Sequence, residues 1–276
     1  MSFWSRSHSL QRKIIAAIVL VGLLPVCLSL VLTYIEERRA LRETLGANFK
    51  EVAVETARRI EMQVSRGVNE AQQLAATPFL RTAVTEANRT YHEKDEKAIQ
   101  SMIKDWQQRW RQRDKKSEFP LFINRIVTNY LIRWHDIRKA DYVGIFVTDN
   151  HGALVVSSIP QVEYYYGKTN WWQAIMHRRG QVYVGDIAFD PSFGTHVVNV
   201  TAPILDDEQR ATIGAVTVLL RRDTLFHSVA EATVGRSGHA MLFSSDGAPL
   251  ICPILAPEEH SVTPELVTAL GSYAQE

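Results

Sequence analysis

"DYVGIFVTDNHGALVVSS", residues 141–158, is where the periodicity of the chain changes. Upstream, apolar residues recur every three or four positions; here they form two short runs on either side of Asp149-Asn150-His151-Gly152. β-Branched and aromatic side chains suit a pleated strand, while Asn, Asp and Gly tolerate the backbone angles of a tight turn. The stretch reads as a β-hairpin. Downstream, "QVYVGDI" (181–187), "HVVNVTAP" (196–203) and "TIGAVTVLL" (212–220) are further strands, separated by the polar turns "DPSFG" and "LDDEQR". Between hairpin and strands, "NWWQAIMHRR" (170–179) reads as a short helix. Two strands, a helical crossover and three sequential strands predict an α+β fold, a mainly antiparallel sheet with helices packed against it.

The chain has 276 residues, 46% of them hydrophobic, and a formal net charge of +1. That is enough to bury a sizeable core, and no overall charge excess points to nucleic acid. Cys27 and Cys252 stand far apart, so neither a CxxC metal site nor a disulfide framework is indicated.

Residues 14–35, "IIAAIVLVGLLPVCLSLVLTYI", are charge-free and apolar, long enough to cross a bilayer core of roughly 30 Å as a helix. Arg6, Arg12 and Lys13 precede them without an acidic residue. The positive-inside rule places such a flank in the cytoplasm and the chain after about residue 36 outside. A cleaved signal peptide has a shorter apolar region, about 7–15 residues, before an A-x-A-like site. "YIEERRALRE" follows here instead, so an uncleaved anchor in the inner membrane is expected.

Beyond the anchor, Leu41, Leu45, Phe49, Val52, Thr56, Ile60, Val64, Val68 and Ala71 recur at helical spacing among charges. They predict a long amphipathic juxtamembrane helix whose stripe pairs with a second copy as a homodimer. A second helical stretch, "EKAIQSMIKDWQQRWRQR" (96–113), sets Ile99, Ile103, Trp106 and Trp110 on one face. Its mixture of Trp and Arg suits single-stranded nucleic acid. The amphipathic spacing instead favours aromatic side chains packed inward and a solvated basic face, so no nucleic-acid partner is expected.

The succession "YYYGKTNWWQAI", "GQVYVGDIAFDPSFG", "VVNVTAPILDD" and "IGAVTVLL", behind one anchor and a long juxtamembrane helix, resembles the extracytoplasmic double-Cache sensor domains of bacterial transmembrane receptors. The resemblance covers roughly residues 36–250. It implies a PAS-like membrane-distal module holding a small ligand between its sheet and the tryptophan-bearing helix. It divides the chain into a basic cytoplasmic tail (1–13), a transmembrane helix (14–35), the long helix with the membrane-distal module (36–225), and the start of a smaller membrane-proximal module (226–276). The chain is expected to be a fragment of a sensor histidine kinase, with a chemoreceptor or a cyclic-dinucleotide enzyme as alternatives.

In amino-acid-binding members of that family, an Arg two positions before the helix Trp meets the ligand carboxylate. A Tyr-x-Asp on the next strand and a later Asp receive the ammonium. Trp171 and Asp190 match; Thr169 stands at the Arg position, Ala188 replaces the Tyr, and Leu219 sits near the later Asp. An α-amino acid is therefore not the favoured ligand.

From the residues themselves, aromatic walls with a few polar groups describe a pocket for a small organic molecule. Tyr164, Tyr165, Tyr166, Trp171 and Trp172 are the candidate walls. Lys168 is positioned to meet a carboxylate, and Asp186 and Asp190 to accept hydrogen bonds from the ligand. The alternatives are ordinary ones: Trp172 and Tyr165 in the core, Lys168 solvated, Asp186 bracing a strand end, Asp190 shaping the "DPSFG" turn, and His177 and His196 exposed or hydrogen-bonded.

Catalysis finds little support. "GRSGHA" (235–240) places His239 where a nucleophile elbow needs its last Gly, and no H-E-x-x-H, phosphate loop or dinucleotide fingerprint occurs. No catalytic residue, metal site or cofactor is assigned. Two classes remain, a ligand-sensing receptor region and a membrane-held interaction protein, and a pocket distinguishes them.

Overall fold

The computed structural model describes residues 12–15, 17–112, 125–177, 180–208, 210–234, 238–243, 249–252 and 268. Arg6 of the basic flank, Arg113, Arg178, Arg179, Gly235–Ser237 of "GRSGHA" and most of the expected last module lie outside the described residues. Two compact units divide the chain, Met1–Glu55 and Thr56–Glu276.

In the first unit, a π-helical turn (Val19–Leu23) leads into helix α1 (Leu24–Ala75), which runs on into the second. The helical run contains an 18-residue window of mean hydropathy 2.9, none of it buried. A helix satisfies its backbone donors and acceptors internally, as lipid demands. By length and composition the segment fits a membrane span.

The second unit is built from α2 (Pro78–Arg89), α3 (Glu96–Gln112), α4 (Arg125–Ile137), β1 (Tyr142–Asp149), β2 (Leu154–Ser157), α5 (Asn170–His177), β3 (Tyr183–Asp190), β4 (Thr195–Leu205), β5 (Thr212–Arg221) and α6 (Arg222–Ala230). Two short strand pairs follow, β6 (Thr233–Val234) with β7 (Gly238–His239) and β8 (Leu242–Phe243) with β9 (Pro249–Ile251). Cys252 Sγ lies 3.6 Å from His239 Nε2. The hairpin and the crossover helix appear where the sequence sets them. β3 runs from Tyr183 to Asp190 rather than over 181–187, because Ala188 and Phe189 continue to pair with Val197 and His196. Three helices the sequence reading did not assign, α2, α4 and α6, complete the unit; α2 opens with Pro78, whose missing N–H costs nothing in a first turn.

β1 to β5 form one antiparallel sheet in the order β2-β1-β5-β4-β3. β5 is central, and every residue from Gly214 to Leu220 is buried. Alternation along it assigns the two faces. Gly214, Val216, Val218 and Leu220 face the helices. A Cβ on Gly214 would stand 2.7 Å from Val84 of α2, and one on Gly67 of α1 3.0 Å from Leu220. Thr217 faces the other way, opposite Phe146 of β1 and Thr201 of β4. The Thr201 and Thr217 hydroxyls hydrogen-bond at 3.0 Å.

The helix side absorbs much of the apolar stripe. Thr56, Gly67 and Ala71 are buried, and Ile60, Val64 and Val68 pack against the same core. From Thr56 to Ala71 the stripe therefore belongs to the chain's own fold, correcting the expectation that all of it awaits a second copy. Leu41, Leu45 and Phe49 are exposed. On α3, Ile99, Ile103 and Trp110 are buried, and the Trp110 indole donates to the Val162 carbonyl at 2.7 Å, so this face is core.

The β1–β2 turn is tied down from several directions. Asn88 of α2 donates to the Ile213 carbonyl and accepts from the Asn150 amide. Asp149 is 2% exposed. Its Oδ1 accepts from the amides of His151 and Ala153, and its Oδ2 accepts from the Tyr91 phenol. Burial pushes this carboxyl above the usual range, against the pull of those hydrogen bonds.

A Cβ on Gly214 would also stand 2.4 Å from the Thr148 carbonyl oxygen, so an added methyl group has to part β1 from β5. Gly214→Ala is expected to cost about 1–3 kcal/mol of stability. An unchanged denaturant midpoint would show that the central pairing gives way without strain.

Candidate ligand site

α5 and the segment before it cover the face of the sheet that bears Phe146, Thr201 and Thr217. The segment is held by the hairpin turn. Leu154 N–H donates to the Tyr164 carbonyl, and Tyr166 N–H to the Gly152 carbonyl, both at 2.8 Å. Gly152 has φ +86°, and a Cβ there would stand 2.4 Å from the Gly167 nitrogen. Only glycine allows both that angle and that approach. The Tyr166 carbonyl then accepts from both the amide and the hydroxyl of Thr169, immediately before α5.

This arrangement delivers two aromatic rings to Phe146. Tyr166 stacks on it with centroids 4.6 Å apart and planes at 17°, Trp171 meets it edge-on at 6.1 Å, and Tyr166 and Trp171 are 5.4 Å apart. Trp171 is buried. Burial raises the Tyr166 phenol well above its ordinary range, against the hydrogen bond it accepts from the Glu163 amide and with smaller contributions from the charges of Glu163 and Asp190. Asp190 shapes its own turn: its Oδ1 accepts the Ser192 amide at 2.8 Å, the turn role considered for it above.

Two polar atoms on this side are buried without a hydrogen-bond partner, Thr148 Oγ1 and Trp172 Nε1. Thr148 follows Phe146 by two residues on β1 and shares its face. Trp172 lies under the hairpin turn, its Cε2 3.1 Å from a Cβ built on Gly152. Buried donors and acceptors in folded proteins are nearly always paired, and an unpaired one costs about 1–3 kcal/mol. Both atoms are suited to a ligand.

The other residues singled out in the sequence are dispersed. Lys168 is exposed just before α5, and Asp186 is exposed where the β3–β4 register slips between Val184 and Ile187. Tyr165 forms an isolated bridge with Ala153. Tyr164 is buried away from this cluster, 6.1 Å from the Trp110 ring and within electrostatic reach of Asp149. His177 is exposed, and His196 lies 5.3 Å from the Phe189 ring. Phe146, Thr148, Thr201 and Thr217 were not anticipated. Their signal is the alternation of β1, β4 and β5, which becomes readable only once α5 marks one face of the sheet. Among the described residues, no group of His, Cys, Asp and Glu is arranged to hold a metal.

A family model described as a Cache domain matches residues 37–267. Among solved structures, the chain is similar to the sensor domain of the V. cholerae histidine kinase DctB, at 11% identity and TM-score 0.45 over 68% of this chain and 59% of that one. It is also similar to the ligand-binding domain of the Pseudomonas fluorescens chemoreceptor CtaA in complex with L-isoleucine, at 16% identity and TM-score 0.46 over 79% and 72%. The E. coli DcuS sensor domain is a third, at 14% identity and TM-score 0.41 over 63% and 98%. The chain thus spans about three fifths of the DctB domain and nearly all of the DcuS domain. No curated protein matches.

Phe146 supports two rings, so Phe146→Ala is expected to cost about 3–5 kcal/mol of stability. Lys168→Ala, on an exposed side chain, should stay within about 0.5 kcal/mol. Denaturant unfolding measures both. Equal, small effects would mean that the cluster is not packed as described.

Proposed function

Since the chain belongs to the Cache-domain family, we propose that it is the extracytoplasmic sensing region of a membrane-anchored signal-transduction receptor, and that its ligand sits between α5 and the sheet. The observation that carries this reading is the pair of unpartnered buried polar atoms, Thr148 Oγ1 and Trp172 Nε1, on the side of the sheet that bears the Tyr166–Phe146–Trp171 cluster. Aromatic side chains beside a few polar groups in want of partners are the materials of a small-molecule site. The role is recognition rather than catalysis, and it is common to sensor kinases and chemoreceptors alike.

The proposed ligand is a small organic carboxylate. Lys168, exposed at the entrance to α5, supplies the positive charge, and Asp190 accepts from a donor elsewhere on the ligand. CtaA is solved with L-isoleucine. Here the positions that would receive an ammonium carry Ala188 and Leu219, the second of them buried. A ligand signals only through its different affinity for two states of the protein, and closure of α5 over the sheet supplies such a pair.

Calorimetry with the full chain in lipid nanodiscs, screened against a panel of carboxylates, tests the site. Lys168→Ala is expected to weaken binding by about 1.5–3 kcal/mol, the range for a charged hydrogen bond, and His177→Ala to leave it unchanged. If Trp171→Ala and Lys168→Ala both fold and bind as the parent does, the α5 site is scaffold only.

The membrane assignment and self-association follow from the first unit. We propose an N-terminus in the cytoplasm, a span over residues 14–35, and a homodimer through Leu41, Leu45 and Phe49, whose apolar side chains are exposed. With Cys27 and Cys252 replaced by serine, single cysteines at these three positions should be labelled from outside intact spheroplasts by an impermeant maleimide. They should also crosslink more readily than cysteines at Glu43 or Ala47. Labelling only after lysis overturns the topology, and equal crosslinking at all five positions overturns the dimer.

A further inference from the structure

A cavity lies on the opposite side of the β1–β2 hairpin from the α5 site, among α2, α3 and the hairpin itself. Its volume is about 560 Å³, and Ala83, Ala87, Tyr91, Met102, Trp106 and Tyr164 are among its lining residues. That size is typical of small-molecule pockets. No residue of the Phe146–Tyr166–Trp171 cluster lines it.

The chemistry of this cavity differs from that of the α5 site. Its walls are aromatic and apolar, with Tyr91 and Tyr164 both buried and Leu154 beside them. Asp149, 2% exposed, is its most buried polar lining residue. A carboxylate offers about four acceptor positions. Oδ1 takes two amides and Oδ2 takes the Tyr91 phenol, which leaves one position open on Oδ2. At the rim, Glu86 adds a second acid, while Lys94 is folded back so that its ammonium donates to the Thr90 carbonyl at 2.7 Å. Among the described residues no Lys or Arg pairs with the Asp149 carboxylate, while His151, whose ring lies 4.6 Å from that of Tyr91, acts on it electrostatically.

We propose that this cleft is a second ligand site, which takes a small organic cation: a primary ammonium on a compact apolar body, with the ammonium directed at Asp149 Oδ2 and the body among Tyr91, Trp106 and Tyr164. Three properties of the cleft favour this class over an anion or a neutral ring. The inner charge is negative, the aromatic faces attract cations, and the open acceptor has no protein donor. The direction of the Asp149 shift agrees: burial raises its protonation range against the pull of its hydrogen bonds and of the nearby His151, and an incoming ammonium favours the charged form. The inference stands apart from the α5 reading and survives its failure, because the two sites share no side chain of the aromatic cluster.

The test uses the full chain in nanodiscs with 2-phenylethylamine as probe and 3-phenylpropionate, an anion with a similar body, as comparison. The amine is expected to raise the melting temperature in a dose-dependent way and to give a saturable calorimetric isotherm, whereas the anion should not compete for the same site. Asp149→Asn should weaken the amine at least about tenfold. Because Asp149 also shapes the turn, Ala87→Trp gives an independent check, since Ala87 is only partly buried and a large ring there fills the cleft without touching the carboxylate. It should abolish amine binding, and Trp171→Ala should leave it intact. No stabilisation by the amine, undiminished binding to Ala87→Trp, loss of binding in Trp171→Ala, or competition by the anion would each overturn the proposal.

Discussion

The burial of β5 on both faces is the constraint from which the rest of the second unit follows. A strand covered on both sides must pair along both edges and present side chains of the right size to two different layers. Toward the helices it offers Gly214, Val216, Val218 and Leu220, and the glycine lets α2 approach through Val84. Toward α5 it offers Thr217, whose hydroxyl is satisfied by Thr201 across the sheet. Its pairing with β1 joins the hairpin to the β3–β4–β5 meander; without it the two have no common sheet.

The two faces of that sheet are built differently. The helix face is closed by complementary apolar packing around Ala71, Leu80, Val84 and Leu131, all essentially inaccessible. On the α5 face, threonines stand in place of aliphatic residues, Thr201 and Thr217 in the middle of β4 and β5 and Thr148 near the end of β1, all fully buried. One pair is internally satisfied, and Thr148 is not. A sheet selected only for stability gains nothing from a buried hydroxyl without a partner. That unpaired hydroxyl is the one the proposed α5 site would use.

Much of the fold could be read from the sequence, because its signals are local. The Asp149–Gly152 turn, flanked by β-branched residues, announces the hairpin, and Asn170–His177 carries a helical pattern between strand patterns. The end of β3 was less legible, since the irregular register between Val184 and Ile187 breaks the alternation that marks a strand. The site divides in the same way. Trp171 and Tyr166 were visible as unusual aromatic residues, but their partner Phe146 lies in an ordinary strand sequence and is distinguished only by the face it shares with α5. Tyr164 and Tyr166, two positions apart, belong to different surroundings, because the segment that carries them wraps the hairpin turn, a tertiary feature without a periodic signature.

The pairing of β1 with β5 has a consequence for how the sheet comes into being. Phe146 and Thr217, neighbours in the sheet, are roughly seventy residues apart along the chain, and contacts of such long range close slowly, because the loop entropy is lost before the contact returns anything. During synthesis α1 to α5 and the hairpin emerge before β5. Until β5 arrives, Ile145 and Val147 have no neighbouring strand on one edge, and the hairpin presents an open edge. The last strand of the meander thus acts as the latch of the unit: the early part of the chain remains incomplete, and exposed to misassociation, until residues 212–221 have been made.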